Sequence, residues 1–229
     1  MWGGDGTVNE AAGALAFGDV PLGIVPAGSG NGLARVLGIP FDPRAALGRC
    51  LDATPRAIDV GEIDDRLFVN IAGIGFDAHV AARFNRPDNR RRGLIGYAVL
   101  TARELPRYAA HEYRITVGDS VSTVRALFVV LANGTEFGNC IRIAPGARVD
   151  DGELALIIVR EQSRLSTICQ IPRILGDRVE RSPAWSLQPV RAATIECESP
   201  MLFHVDGEPV QGGTRIEARV HPGALRVCA

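Results

Sequence analysis

Two glycine-rich turns near the start of the chain decide the fold of its first part: Gly3-Gly4-Asp5-Gly6-Thr7 and Gly28-Ser29-Gly30-Asn31-Gly32. The first turn leads into residues 8–15, for which we predict a helix with Thr7 near its N-cap and Glu10 at the capping-box spacing. The second turn follows a short apolar strand at 21–25 and precedes a helix at 33–37. This alternation of strand and helix is typical of a parallel α/β layer.

A third helix, predicted at 42–51 with Pro43 in its first turn, ends the α/β part. Beyond it, short apolar strands are separated by Gly, Asp and Pro turns, a spacing that indicates an antiparallel sandwich or barrel. We predict these strands at 57–63, 67–71, 113–117, 124–132, 154–159, 193–197, 202–205 and 214–220. Helices at 93–104 and 163–175 interrupt them.

The predicted fold class is therefore α/β plus all-β. A partial Rossmann-like nucleotide-binding domain at 1–55 precedes an antiparallel β-sandwich domain at 56–229. We expect the last strand to be able to pack back on the first domain.

The composition is that of a folded, turn-rich protein, with 46% hydrophobic and 22% charged residues, 26 Gly and 14 Pro. Disorder, collagen and coiled coil are excluded as descriptions of the whole chain. The formal net charge of −1 provides no excess of positive charge for general nucleic-acid binding. Five cysteines, an odd number, and no apolar run near the roughly 20 residues of a membrane span predict a cytoplasmic protein.

Residue counts exclude several kinds of chemistry. All 25 basic residues are Arg, so the chain lacks the Lys of a Walker A loop, of a protein kinase or of a Schiff-base enzyme. The cysteines form no CxxC pair and the four histidines no HExxH motif, which argues against a zinc site.

The glycine turns suit a nucleotide, although a tight turn before a helix is the alternative explanation of each. Glycines let the backbone approach phosphate oxygens, and the first N–H groups of a helix favour an anion. Thr7 and Asn9 add polar donors, and Asp5 could hold Mg²⁺ through water. The second turn matches neither G-x-G-x-x-G nor G-x-S-x-G. Two such turns at one edge of a parallel sheet favour a nucleotide site.

Five blocks of sequence, in order, resemble the diacylglycerol kinase catalytic-domain family of lipid kinases, which includes bacterial soluble lipid kinases and sphingosine kinases. The first two blocks are GGDGTVNE and PAGSGNGLAR, and the other three lie at 69–78, 144–152 and 204–209. The GGDGT block alone is shared with NAD kinases and phosphofructokinases, whereas the combination is specific.

The resemblance implies an ATP-dependent lipid kinase that uses Mg²⁺, with residues assigned by position. Nucleotide contacts fall on Gly3, Gly4, Asp5, Gly6, Thr7, Val8, Asn9, Ser29, Gly30 and Asn31. Glu208 matches the acceptor of the lipid hydroxyl proton, with Asp206 beside it. Mg²⁺ would bind in the turn at 148–153, through the side chain of Asp151, with Arg148 and Glu153 completing the set. The alternative for both Asp-Gly pairs is an ordinary hairpin turn.

The family also has a strand, a helix and further phosphate contacts before GGDGT, so we predict that this chain is an N-terminally truncated member. Two other functions stay open: an NAD-kinase-like enzyme, or an inactive family member that acts as a binding protein. Arg86, Arg90, Arg91 and Arg92 precede an apolar helix and could dock on anionic lipid at the inner face of the membrane, the alternative being a solvated loop. Neither the acceptor lipid, diacylglycerol-like or sphingoid, nor the oligomeric state follows from these residues.

Overall fold

The structure, a computed structural model, describes residues 1–88, 93–137, 141–162 and 184–229. The predicted helix at 163–175 and the arginines at 90–92 lie outside the described residues. The helices are α1 (Asp5–Leu15), α2 (Gly32–Val36), α3 (Pro43–Asp52), α4 (Phe76–Phe84), α5 (Gly93–Glu104) and a short 3-10 helix (Leu105–Arg107). Within the described part, no helix is long and apolar enough to cross a membrane.

The first part of the chain is the predicted mixture of short strands and helices. It contains β1 (Trp2–Gly3), β2 (Leu22–Gly23) and β3 (Val25–Pro26), and β1 pairs with β3 in parallel. The predicted strand at 21–25 is therefore split into two strands that pair with different partners.

The remaining strands pair with one another in antiparallel fashion. They are β4 (Arg56–Ile63), β5 (Arg66–Phe68), β6 (Ile71–Gly75), β7 (His111–Val117), β8 (Ser120–Ala132), β9 (Glu136–Phe137), β10 (Ile141–Arg142), β11 (Leu154–Arg160), β12 (Trp185–Val190), β13 (Ala192–Glu196), β14 (Leu202–Val205), β15 (Glu208–Gln211) and β16 (Arg215–Cys228). The fold class predicted from the spacing of strands is thus confirmed.

One large sheet has twelve strands among the described residues, of which eleven belong to the second part and the twelfth is β2. Its main path runs β15-β14-β6-β8-β7-β13-β16-β4-β5, and β11 lies on β8 with β12 beyond it. The core of this sheet includes Phe68, Tyr113, Leu131 and Phe203, each with at most 1% of its surface exposed.

The long last strand, β16, connects the sheet to the first part of the chain. Its end pairs in parallel with β2, where Val227 is opposite Leu22. Leu225 and Val227 are buried in the same apolar cluster as Val8 of α1. The last strand thus contacts residues of the first part. The division into domains at 1–55 and 56–229 stays a prediction.

Two helices differ from the prediction. α1 begins at Asp5 with Gly4 as its N-cap, so the expected N-cap at Thr7 is wrong. Gly4 has no side chain to accept a hydrogen bond, and the helix starts inside the glycine turn. α4 was not predicted at all, although Phe76, Val80 and Phe84 recur every four residues, the period of a helix face.

Candidate functional site

The two glycine turns lie in direct contact. A Cβ built on Gly28 would lie 2.6 Å from the Cα of Gly4, and one built on Gly4 would lie 3.0 Å from the Cα of Gly28. The amide of Ala27 also donates to the carbonyl of Gly3 at 2.9 Å. The close approach requires glycine at position 28, because a side chain there would push the turns apart, and it leaves only a tight space for a side chain at position 4.

Asp5 joins the two turns through its carboxylate. Oδ1 accepts from the amide of Gly32 at 2.6 Å, and Oδ2 accepts from the amide of Asn31 at 2.8 Å. Asn31 has a left-handed backbone (φ 54°), and its side chain bonds both the amide and the carbonyl of Gly28. Asp5 therefore positions the second turn, a role that differs from the expected water-mediated contact with Mg²⁺.

The N-terminus of α1 is open towards the turns. The first bond of the helix runs from the amide of Val8 to the carbonyl of Gly4, at 3.0 Å. By helix geometry, the amides of Asp5, Gly6 and Thr7 have no acceptor within the helix. These N–H groups and the helix dipole favour an anion such as a phosphate group.

The other predicted nucleotide contacts fall into different environments. Thr7 and Ser29 are exposed residues of the two turns, and Gly30 is buried, with its carbonyl accepting from the guanidinium of Arg35. Only 4% of the surface of Val8 is exposed, because its side chain belongs to the core. A contact of Val8 with a nucleotide would therefore have to use its backbone.

Asn9 and Asp206 form a clamp between α1 and the large sheet. The side-chain NH₂ group of Asn9 donates to Oδ2 of Asp206 at 2.7 Å and to the carbonyl of Leu67 at 3.0 Å. The same carboxylate accepts from three consecutive backbone amides, at 2.8–3.0 Å, in the segment 69–71. Burial raises the pKa of Asp206, while these donors act to lower it. Each oxygen of Asp206 accepts two hydrogen bonds, so this carboxylate has a structural role.

Asp206 and Gly207 form a two-residue hairpin loop between β14 and β15. Both residues have positive φ (48° and 93°), and Val205 is paired with Glu208 across the loop. This backbone corresponds to the type I′ turn that Asp-Gly favours. The hairpin alternative is therefore correct, and it is compatible with a chemical role for the next residue.

Glu208 extends from this hairpin towards the first glycine turn. It is exposed, and its carboxylate has no hydrogen-bond partner among the described residues. A Cβ built on Gly6 would lie 3.4 Å from Oε1 of Glu208. The fold thus brings together the predicted proton acceptor and the N-terminus of α1, which are about 200 residues apart in the sequence.

A buried hydrogen-bond chain, which the sequence analysis missed, holds the hairpin in place. Nε2 of His204 lies 2.6 Å from Oδ2 of Asp77, and Tyr97 donates to the other oxygen at 3.2 Å. The amide of Gly207 donates to Nδ1 of His204 at 3.2 Å. Burial acts to lower the pKa of His204, but the charge and hydrogen bond of Asp77, together with the charge of Asp206, outweigh it and the net shift is upward.

Glycine at position 73 makes room for this chain, because a Cβ there would overlap the carboxylate of Asp77. At the end of α4, Asn85 donates to the carbonyl of Gly207 at 3.0 Å. The hairpin is therefore held at its amide, its carbonyl and the side chain of Asp206. A histidine flanked by apolar residues, Phe203 and Val205, was the available signal in the sequence for a buried partner.

The predicted Mg²⁺ turn is a separate feature near the start of β11. Oδ1 of Asp151 accepts from the amide of Glu153 at 3.1 Å, and its other oxygen has no protein donor in the part that the structure describes. Buried Asp59 holds the turn by accepting from the amide of Gly152 at 2.7 Å. Asp59 and Asp151 line a cavity of about 680 Å³. An exposed carboxylate oxygen suits a hard cation. The guanidinium of Arg148 bonds to Asp150 at 3.2 Å, so a contact of Arg148 with a cation would have to use its carbonyl.

Two family models match the chain, one on each part. Residues 1–63 match the diacylglycerol kinase catalytic domain, and residues 70–229 match the YegS C-terminal NAD kinase beta sandwich-like domain. A protein of Chromohalobacter salexigens named "Probable lipid kinase YegS-like" is 34% identical over 231 residues, which cover 99% of this chain and 74% of that protein. The chain belongs to the diacylglycerol kinase catalytic-domain family. The predicted family is confirmed.

Other members of the family are similar over most of their length. "Diacylglycerol kinase" of Mycobacterium tuberculosis is 33% identical over 218 residues, which cover 90% of this chain and 68% of that protein. A solved structure described as a "putative diacylglycerol kinase" from Bacillus anthracis has a TM-score of 0.80 at 24% identity, covering 99% of this chain and 76% of that one. An NAD kinase from Archaeoglobus fulgidus in complex with ATP has a TM-score of 0.55 at 13% identity, covering 100% and 76%. These two solved structures have the same fold as this chain.

Proposed function

We propose that this protein transfers the γ-phosphate of ATP to the hydroxyl group of a diacylglycerol-like or sphingoid lipid, with Glu208 as the proton acceptor. The coarser part of this statement, a kinase that acts on a lipid alcohol, follows from the family and from relatives named lipid kinase and diacylglycerol kinase. The proposal adds three finer statements: ATP is the donor, the acceptor is a diacylglycerol-like or sphingoid lipid, and individual residues have the roles given below.

The observation that carries the proposal is the position of Glu208 beside Gly6. Phosphoryl transfer needs little covalent chemistry from the protein, and depends on a placed donor, a placed acceptor and stabilisation of charge. Here the open N-terminus of α1 and an unpaired carboxylate face the same space. A phosphate at the helix and a hydroxyl at the carboxylate would be neighbours.

The residues of the two glycine turns are suited to bind a nucleoside triphosphate. The glycine-to-glycine contact keeps side chains away from the turns, and the free amides of the first helical turn can donate to phosphate oxygens. The charge of Asp5 is offset by the two amides that it accepts from. Mg²⁺, when bound, would neutralise phosphate charge or clamp a turn, and Asp151 is the proposed side-chain ligand.

The proposed reaction assigns one proton transfer to this chain. The lipid hydroxyl oxygen forms a bond to the γ-phosphorus while the bond from that phosphorus to the β,γ-bridging oxygen breaks, which releases ADP. The hydroxyl proton moves to the carboxylate of Glu208. Asp206 positions the hairpin and does not accept this proton, since both of its oxygens already hold two donors.

Replacement of Glu208 by glutamine tests the proposal. Loss of a general base typically lowers the rate about 10²–10⁴-fold, and the effect should fall on kcat with ATP affinity unchanged. Glu112→Gln is the matched control, because Glu112 is also an exposed glutamate on a strand. Phosphorylation of diacylglycerol, sphingosine and NAD by the full chain would be measured beside ATP binding by calorimetry.

The outcomes separate the functions that the sequence leaves open. Near-normal turnover in Glu208→Gln would remove Glu208 as the base. Phosphorylation of NAD alone would replace the proposal by an NAD kinase activity, and ATP binding with no turnover on any acceptor would favour a binding protein. Loss of ATP binding together with turnover in Glu208→Gln would mean that the side chain supports the glycine turn.

A further inference from the structure

Cys50 of the first part and Cys228 of the large sheet lie next to the same glycine, Gly23. Gly23 of β2 is paired in register with Cys228 of β16, at the last pair of the parallel ladder between these strands. A Cβ built on Gly23 would lie 3.1 Å from both Cβ and Sγ of Cys50, which belongs to α3. Because glycine has no side chain, Gly23 leaves the space between the two cysteines open.

The pairing places both thiols on the same face of β2 and β16. Residues that are paired on neighbouring strands point their side chains to the same face of a sheet. Cys228 therefore extends on the face of Gly23 that Cys50 covers. Neighbouring strands are about 4.8 Å apart, so the Cβ atoms of the two cysteines are no more than about 8 Å apart.

The surroundings of the two cysteines allow a bond between them. A disulfide needs Cβ atoms about 3.5–4.5 Å apart. Cys228 lies at the end of the ladder between β16 and β2, and strand ends open at little cost in free energy. The Sγ of Cys50 donates to the carbonyl of Ile24 at 3.5 Å, which keeps it beside β2. Both cysteines are half-buried, so a small oxidant can reach them.

Packing explains these two cysteines less well than it explains Cys197. Cys197 packs against the apolar core of the large sheet. Neither Cys50 nor Cys228 belongs to an apolar cluster in the part of the chain that the structure describes. The pair is therefore a candidate for chemistry of its thiols.

We propose that Cys50 and Cys228 form a reversible disulfide in the presence of hydrogen peroxide, and that this bond fastens the first part of the chain to the large sheet. One thiolate attacks an oxygen of the peroxide, the O–O bond breaks, and the hydroxide that leaves takes up the thiol proton as water. The second thiolate attacks the sulfur of the resulting sulfenic acid, the S–O bond breaks, and a second water leaves. Two thiols thus lose two electrons, and the peroxide is reduced to two waters.

The bond would add a covalent link beside the short ladder between β2 and β16. It joins α3, which follows the second glycine turn, to the last strand of the large sheet. Such a link limits the separation of the two parts and removes conformational freedom from the unfolded chain. Formation of the bond needs neither nucleotide nor turnover, so this inference goes beyond the proposed function and can fail independently of it.

Oxidation of the full chain with hydrogen peroxide tests the proposal. The reduced protein would be treated with peroxide, the remaining thiols blocked, and the bridged peptides identified by mass spectrometry. We expect the bridge between Cys50 and Cys228 to form at least about tenfold faster in the folded chain than in concentrated urea, because the fold holds the thiols closer than a long flexible loop does. The oxidised protein should melt about 4–16 °C above the reduced protein, and dithiothreitol should reverse this rise in Tm.

Cys197→Ser is the matched control, since Cys197 is also half-buried, and this variant should keep both the bridge and the rise in Tm. Cys50→Ser and Cys228→Ser should each lose both. The proposal is overturned if the folded wild type forms no bridge between Cys50 and Cys228, if the unfolded chain forms it as fast, or if the bridge leaves Tm unchanged. A bridge to another cysteine in its place, or oxidation to sulfinic acid without a bridge, would also overturn it. The comparison of oxidised and reduced wild type needs no substitution, so the test remains valid if a variant does not fold.

Discussion

Asp206→Asn perturbs the clamp that holds the Glu208 hairpin while leaving Glu208 itself in place. In the structure, the carboxylate of Asp206 accepts from the side chain of Asn9 and from the three amides of 69–71. An asparagine can present one oxygen to two of these donors. Its NH₂ group would face the other two, so two bonds are lost and their donors are left without an acceptor.

The magnitude follows from these contacts. A hydrogen bond to a charged group contributes about 1.5–3 kcal/mol, so two lost bonds cost about 3–6 kcal/mol. Burial raises the pKa of Asp206, which means that the fold disfavours its charge, and the neutral amide relieves part of that cost. We therefore expect the free energy of unfolding to fall by about 3 kcal/mol, a decrease in Tm of about 6–12 °C for a chain of this size.

Urea unfolding followed by circular dichroism measures the effect. Glu208→Gln is the control from the same hairpin, because its exposed side chain has no partner in the described part of the chain. Such a substitution should change the free energy of unfolding by no more than about 0.5 kcal/mol. If Asp206→Asn unfolds with the wild-type midpoint, or if the two variants lose equal stability, the clamp does not hold the hairpin.

Three further variants test other contacts. Gly28→Ala should weaken ATP binding in calorimetry, because its Cβ would lie 2.6 Å from the Cα of Gly4, whereas Gly13→Ala, in open space on α1, should leave binding unchanged. His204→Ala should lower the free energy of unfolding by about 3 kcal/mol in urea, because it leaves a buried carboxylate short of a partner. Burial acts to raise the pKa of Glu62, but the hydrogen bonds and charges of His221 and Arg219 together hold it below its ordinary 4.5, so the ionised form stabilises the fold above that pH. The stability that Glu62→Gln loses at pH 7 should therefore shrink as the pH falls below 4.5.

Capping residues and turn residues predicted those helices whose start or end depends on neighbouring residues in the sequence. α3 begins as expected, with Pro43 in its first turn and the side chain of Asp42 accepting from the amide of Ala45 at 2.9 Å. α5 has the predicted bounds, 93–104. The start of α1 was wrong because the capping-box pattern at Thr7 competes with a glycine that starts the helix earlier.

The roles of side chains in the site depend on contacts between residues far apart in the sequence, and the order of the sequence does not predict these contacts. Asp77 and His204 are 127 residues apart, and Asp5 and Gly32 are in separate turns. From composition, Asp5 was a candidate for Mg²⁺, yet its oxygens are used to join the turns. The resemblance to the family located Glu208, but only the fold shows that it lies beside Gly6.

The triplet Asp206-Gly207-Glu208 divides two tasks that one carboxylate cannot perform. A group that anchors four donors needs burial and fixed geometry, and protonation would cost it those bonds. The proton acceptor that we propose needs open lone pairs, which the exposed carboxylate of Glu208 has. The left-handed hairpin turns the chain so that neighbouring acidic side chains serve opposite requirements. The buried residues fix the backbone, and the proposed proton acceptor, Glu208, stays free because its position is set by the turn and not by its own hydrogen bonds.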